Sequence, residues 1–348
     1  MASPVREGTL TSSAFSSRDI DILKEKIDLT IDKDFKTGFF KIEYIIRSDS
    51  GGIQIPLLFY AADYKDGFSV SVDGKETELL NIPAEYLSSS GSGINKFSRF
   101  SDSFTESGVK TGTVTIFWEE GSGNVYELSD LKYFETGLTK GEHVIKVEYT
   151  ADAWLNLKDW IKEYSFRYSL SPAKHWRSFD SLIVNVNSKA FYSNISTNLG
   201  EPAAGNLNSS AEWVFTKIPA EFLIVNYSPH ISGFATALIN LGPTNLTAIF
   251  SFVIILIHIL FIMIFRKNNP SKKFSWIVMI GSFIIPLLIL LFYIYSFYII
   301  DSAIGPEAGK HHGYTFLVII VYPLIVPVYW FLMWITDRII KKRSLKPV

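Results

Sequence analysis

The sequence predicts a chain in two parts: an all-β extracytoplasmic sandwich of the Ig-like type, as one sandwich or two sub-sandwiches, and a three-helix α-helical transmembrane domain. Three observations predict it. Segments with an apolar residue at every second position recur from Ile20 to Tyr227. Three apolar runs, each of 20 residues or more, follow them. The charge divides along the same line: after Tyr227 stand ten Lys/Arg and three Asp/Glu, a formal +7, whereas the preceding part carries 23 against 31, a formal −8.

In the first part, Ile27, Leu29 and Ile31 alternate with polar residues, as do Phe40, Ile42, Tyr44 and Ile46. Ile145, Val147 and Tyr149 repeat the pattern, followed by Tyr164, Phe166, Tyr168 and Leu170, then Leu182, Val184 and Val186. A period of two places these side chains on one sheet face. Turn signals such as Val72-Asp73-Gly74 and Thr139-Lys140-Gly141 separate the strands, which suggests a sandwich. Two stretches interrupt the series. Ser88–Gly93 (SSSGSG) opens a polar stretch to Gly112, read as a loop excursion, and Ala153–Lys162 spaces Trp154, Leu157 and Ile161 as a short helix would. The second also marks a division between sub-sandwiches near residue 155, should there be two.

Gly141-Glu142-His143, followed by an alternating strand to Ala151, resembles the closing hairpin of bacterial extracytoplasmic β-sandwich modules. The pattern Tyr168-x-Leu170-x-x-Ala173-x-x-Trp176 before the strand at Leu182 is similar to a stretch in uncharacterised bacterial envelope proteins with C-terminal transmembrane helices. The resemblance spans about fifty residues with loose motifs. It implies a fold and a location, and it carries no catalytic residue to this chain.

Leu246–Phe265 holds one ionisable residue, His258; Phe274–Ile300 and Tyr314–Thr336 hold no charge. At ~1.5 Å per residue each run can cross a ~30 Å hydrocarbon core. Pro286, Pro323 and Pro327 fall within the second and third runs and can kink them. Arg266, Lys267, Lys272 and Lys273 fill the first connection, and Arg338, Lys341, Lys342 and Arg343 the tail. Basic loops stay in the cytoplasm, so these residues are read as cytoplasmic anchors, with the β-rich part outside and the C-terminus inside a bacterial inner membrane. Met1–Phe15 has no apolar export signal, so a processed form is expected. The boundaries expected are a flexible 1–19, a β domain at 20–229, an interfacial segment at 230–245, helices at 246–265, 274–300 and 314–336, and a basic tail at 337–348.

There is no cysteine, which excludes disulfides, thiolate metal sites and a cysteine nucleophile. Four Asn-x-Ser/Thr sequences (Asn194, Asn208, Asn226, Asn245) are read as chance occurrences. The acidic first part argues against nucleic acid or anionic lipid as its partner, because either would need a basic surface. Hydrolase and nucleotide motifs are absent, the adjacent pair Glu119-Glu120 would face opposite sides of a strand, and His143, His175 and His230 lack motif context. The loop pair His311-His312 lacks further ligands, so no metal and no cofactor is expected.

The polar candidates lie in the membrane. His258 sits ~18 Å along the first helix, just past the midplane, with Ser251 one heptad before it. Thr315, Tyr322, Tyr329 and Thr336 form a seven-residue stripe on the third run, and Tyr322 and Tyr329 bracket the depth of His258. A His–Tyr hydrogen bond between the first and third helices is expected, as structural glue or as a site for proton or ligand chemistry. Trp154, Trp160 and Trp176 stand among charged residues as binding candidates for a protein or a saccharide, or as core indoles. The expected function is non-enzymatic: an accessory or assembly subunit whose outer domain binds an envelope protein or polymer. A membrane enzyme or transporter component built around His258 is the alternative, and a sensor with a cytoplasmic partner is another.

Overall fold

A computed structural model describes residues 2–4, 20–49, 51–81, 99–106, 109–119, 122–170, 177–309 and 312–344. The chain divides into two compact units, one of Met1–Leu155 with Glu163–Ser228 and one of Asn156–Lys162 with Pro229–Val348.

The first unit is built on a sheet in which nine strands are described: β1 (Ile20–Ile31), β2 (Thr37–Ser48), β3 (Tyr64–Val72), β4 (Lys75–Glu76), β5 (Gly141–Asp152), β6 (Ser178–Phe179), β7 (Leu182–Ser188), β8 (Ala204–Asn206) and β9 (Ser210–Phe215). Their order is β8-β9-β7-β1-β2-β5-β3-β4, with β6 also against β1. Alternation decides which face is buried: Ile27, Leu29, Ile31, Phe40, Ile42, Val147, Tyr149, Val184 and Val186 are all within 1% of full burial. Each such side chain contributes about 1.5–3 kcal/mol. Opposite them, Glu163–Ser169, Phe222–Tyr227 and Ile195–Thr197 pair antiparallel and supply Phe166, Tyr168, Leu223 and Val225 to the same core. Phe40 stacks on Tyr149 at 5.0 Å and on Tyr168 at 6.0 Å.

The expected all-β, Ig-like sandwich is not the architecture. The nine-stranded sheet is mixed: β6 and β7 both run parallel to β1, whereas β1–β2, β2–β5 and β7–β9 are antiparallel. Nor are there two sub-sandwiches, because strands from before and after residue 155 lie in this one sheet. The reason is physical: alternation reports which face a side chain takes and is blind to the direction of the neighbouring strand. Two expected interruptions are also different. Trp154–Asn156 is a strand, not the start of a helix. The polar stretch to Gly112 contains the strand Arg99–Glu106 and the start of Val109–Glu119, which pair antiparallel; its opening, 82–98, lies outside the described residues.

The second unit holds three long helices, α1 (Gly233–Asn268), α2 (Trp276–Ile304) and α3 (Tyr322–Ser344). The Ser232 side chain caps α1 by accepting from Ala235 N. Gly242 breaks α1 with φ 68°, a conformation open to glycine, just before Pro243, which has no N–H to donate. A 3₁₀ segment, Thr315–Val321, precedes α3, and Pro323 falls at the second position of α3, where a missing N–H costs little. Near one end of the unit, Ala235, Leu238, Ile300 and Ile304 pack with Trp160; near the other, Ile262, Val278, Tyr329 and Met333 pack together.

Candidate functional site

Two pairs of polar side chains join α1 to α3. His258 is buried, with Nδ1 2.9 Å from the Tyr329 hydroxyl and Nε2 3.2 Å from the Ile277 carbonyl of α2. A carbonyl can only accept, so Nε2 carries the proton; Nδ1 then accepts from Tyr329, and one neutral tautomer satisfies both contacts. The ring lies so close to Gly281 that a Cβ there would come within 2.1 Å of Nε2. Glycine at 281 is therefore what lets α2 approach the histidine.

Arg266 and Asp337 form the second pair, exposed to only 1% and 6%. Arg266 Nε donates to Oδ1 at 2.7 Å and Nη2 to Oδ2 at 2.5 Å, a two-pronged geometry, while Nη1 donates to the Lys272 carbonyl at 2.7 Å. Arg266 lies eight residues after His258 and Asp337 eight after Tyr329. Both pairs thus link positions 71 apart in sequence, as rungs ~12 Å apart on parallel helices.

The remaining intramembrane candidates do not join this seam. Ser251 donates to Thr247 O on its own helix, and Thr336 likewise to Leu332 O. Thr315 donates to His312 O, and Tyr322 reaches the Phe283 carbonyl of α2 at 2.9 Å. The seven-residue stripe is therefore not one contact face. Arg266, expected among the cytoplasmic basic residues, is buried in an ion pair with Asp337. Lys267, Lys272, Lys273, Arg338, Lys342 and Arg343 are exposed. Lys341 Nζ donates to Lys272 O, and Arg338 lies 4.0 Å over the Trp334 ring. Asp337 and Gly281 were missed from sequence, although the matched offset of eight was there to be read.

Trp154 is 39% exposed, with Arg167 at 4.7 Å over its ring. Trp160 belongs to the helical unit, stacked on Phe297 at 5.7 Å. Trp176 lies outside the described residues, as does His311; His312 pairs with Asp301 at 2.9 Å. Among the described residues, no group of three or more His, Asp or Glu can hold a metal ion.

Glu25 and His143 are buried titratable groups of the β-rich unit. A register shift between Ile22 and Lys24 inserts an extra residue into β1, so that Glu25 turns inward. It is fully buried; its Oε1 accepts from Tyr168 at 3.0 Å, and the Tyr168 and Tyr44 hydroxyls lie 2.6 Å apart. Burial pushes the carboxyl up to about 7, the Tyr168 bond offsetting only part of that. His143, at the start of β5, bonds Asp73 at 2.7 Å through Nδ1 and Thr139 O at 2.7 Å through Nε2. Burial pulls its imidazole down, but these two bonds outweigh it and leave the pKa above the ordinary value. His143 thereby ties the 139–141 turn to the 72–74 turn.

Helices of this kind define an integral membrane protein: three spans of 36, 32 and 30 residues are long and apolar enough to cross a bilayer. No family model and no curated protein matches the chain. Among solved structures, an M1 zinc metallopeptidase from Deinococcus radiodurans is similar at 9% identity and TM-score 0.31, covering 62% of this chain and 45% of that one. Leukotriene A4 hydrolase from Saccharomyces cerevisiae is similar at 9% identity and TM-score 0.33, covering 63% of this chain and 30% of that one. The chain thus spans less than half the length of either, and likeness at these values establishes neither a shared fold nor a shared activity.

Proposed function

We propose that the chain is a non-enzymatic subunit of a bacterial inner-membrane assembly, like the envelope proteins it resembles. Its β-rich unit lies outside and binds another envelope protein or polymer, and its three helices anchor it and pack against membrane partners. The observation that carries this reading is the polar seam: His258, Tyr329, Arg266 and Asp337 take their hydrogen bonds from one another and from backbone carbonyls, as groups that hold helices together do. The basic residues at 266–273 and 338–343 support an inside location for those segments. A plain anchor needs one helix, so three favour lateral contacts.

The test is purification of the tagged full chain from its native membrane in mild detergent, with mass spectrometry of what co-purifies in stoichiometric amount. A recurring set of membrane and envelope proteins supports the proposal. A lone, homogeneous protein whose function is lost in His258→Phe with folding intact overturns it in favour of chemistry at the seam.

A further inference from the structure

Beside the Arg266–Asp337 rung, the last turns of α1 and α3 enclose a membrane-facing groove of about 700 Å³. That falls within the ~300–1,000 Å³ of small-molecule sites. Its lining is mostly apolar, with Ile259, Met263, Ile339 and Ile340, and it also includes Thr336 and Ser344; Lys267 and Arg343, one residue from the ends of α1 and α3, line it toward those ends. Ile259 to Lys267 is eight residues, so the apolar wall extends ~12 Å inward from the basic end.

The charge toward those ends has one sign. Lys267 and Arg343 are exposed and form no ion pair among the described residues. Asp337 is the sole acid in α1 and α3, and Arg266 already neutralises it. Each helix end adds roughly −0.5 charge from its free carbonyls, which the two cations together outweigh. An occupant must therefore combine an acyl chain, to replace bilayer lipid against the walls, with an anionic head at the level of the helix ends. A neutral lipid fits the walls and leaves both cations unmatched; a free anion matches the cations and leaves the walls unfilled.

We propose that this groove is a binding site for one anionic glycerophospholipid, its phosphate held by Lys267 and Arg343 and a chain laid against Ile259, Met263, Ile339 and Ile340. The proposal does not depend on what the β-rich unit binds.

Native mass spectrometry of the full chain in mild detergent tests it, by titration with dioleoyl phosphatidylglycerol and, separately, dioleoyl phosphatidylcholine. The expected result is one retained phosphatidylglycerol, bound at least about tenfold tighter than phosphatidylcholine. Lys267→Gln with Arg343→Gln should weaken phosphatidylglycerol by about thirtyfold, and Arg343→Gln alone, read if the pair fails to fold, by about fivefold. Lys273→Gln with Lys342→Gln removes the same charge from exposed positions off the groove and should leave the affinity within about twofold. Equal affinity for the two lipids, or an equal loss in the off-groove pair, overturns the proposal. So does full competition by glycerophosphate at the lipid's own concentration, which would mean that the head alone is bound.

Discussion

Replacing Glu25 with Gln should abolish a large part of the pH dependence of folding in the β-rich unit. The bulge in β1 points this carboxyl into an apolar core, and burial raises its pKa from 4.5 to about 7. Between those values the folded state holds a proton that the unfolded chain has released. Stability due to this group therefore falls as pH rises: it is intact below about 4.5, and the full loss is reached above about 7. The shift corresponds to about 3 kcal/mol, or about 6–12 °C in Tm for a domain of this size. The assay is thermal unfolding of the full chain in detergent at pH 5 and pH 8, followed by near-UV circular dichroism. The informative quantity is the difference between the two pH values, because the buried amide of Gln brings its own hydrogen-bonding cost at both. Wild type should lose about 6–12 °C more than the Gln variant between them. An unchanged difference in the variant would refute the inward bulge as a source of pH sensitivity.

Three further outcomes follow from the same structure. Asp337→Ala should destabilise the helical unit by about 3–5 kcal/mol, since it strands a buried guanidinium, whereas Arg266→Met with Asp337→Leu should cost much less; a double-mutant cycle in SDS-induced unfolding that proves additive excludes the ion pair. Gly281→Ala should cost about 1–3 kcal/mol by driving a methyl into the His258 ring, and His258→Ala should suppress that cost; absence of suppression removes the close approach. His143→Gln should remove a stabilisation that is complete below the unfolded value of 6.5 and lost as pH rises through the higher folded pKa, so hydrogen exchange near the 139–141 turn should differ most from wild type below pH 6.5.

How much of this was legible in the sequence depends on which interaction each residue reports. Apolar runs report the spans directly, since length and hydropathy are what a bilayer requires. Ile27, Phe40, Val147 and Val184 report a buried face. They are silent on the parallel pairing of β7 with β1, because strand direction is set by the path of the chain between them. Glu25 was invisible because a bulge reverses the phase of alternation from within the strand. In the helical unit, His258 and Tyr329 could be named as polar residues at similar depth. Arg266 and Asp337 were hidden by the habit that makes basic loop residues readable: near a membrane surface, a charge looks like an anchor until its partner is located in space.

The two rungs between α1 and α3 also constrain how these helices can move. A slide of one turn, ~5.4 Å, would separate both side-chain pairs at once, leaving a histidine, an arginine and an aspartate without their matches. α2 is held differently, by bonds from His258 and Tyr322 to main-chain carbonyls, a kind of acceptor that recurs all along a helix. The seam therefore acts as a vernier with two coinciding marks: it admits one axial setting of α1 against α3 and rejects its neighbours. Any displacement that the membrane part undergoes must carry those two helices together.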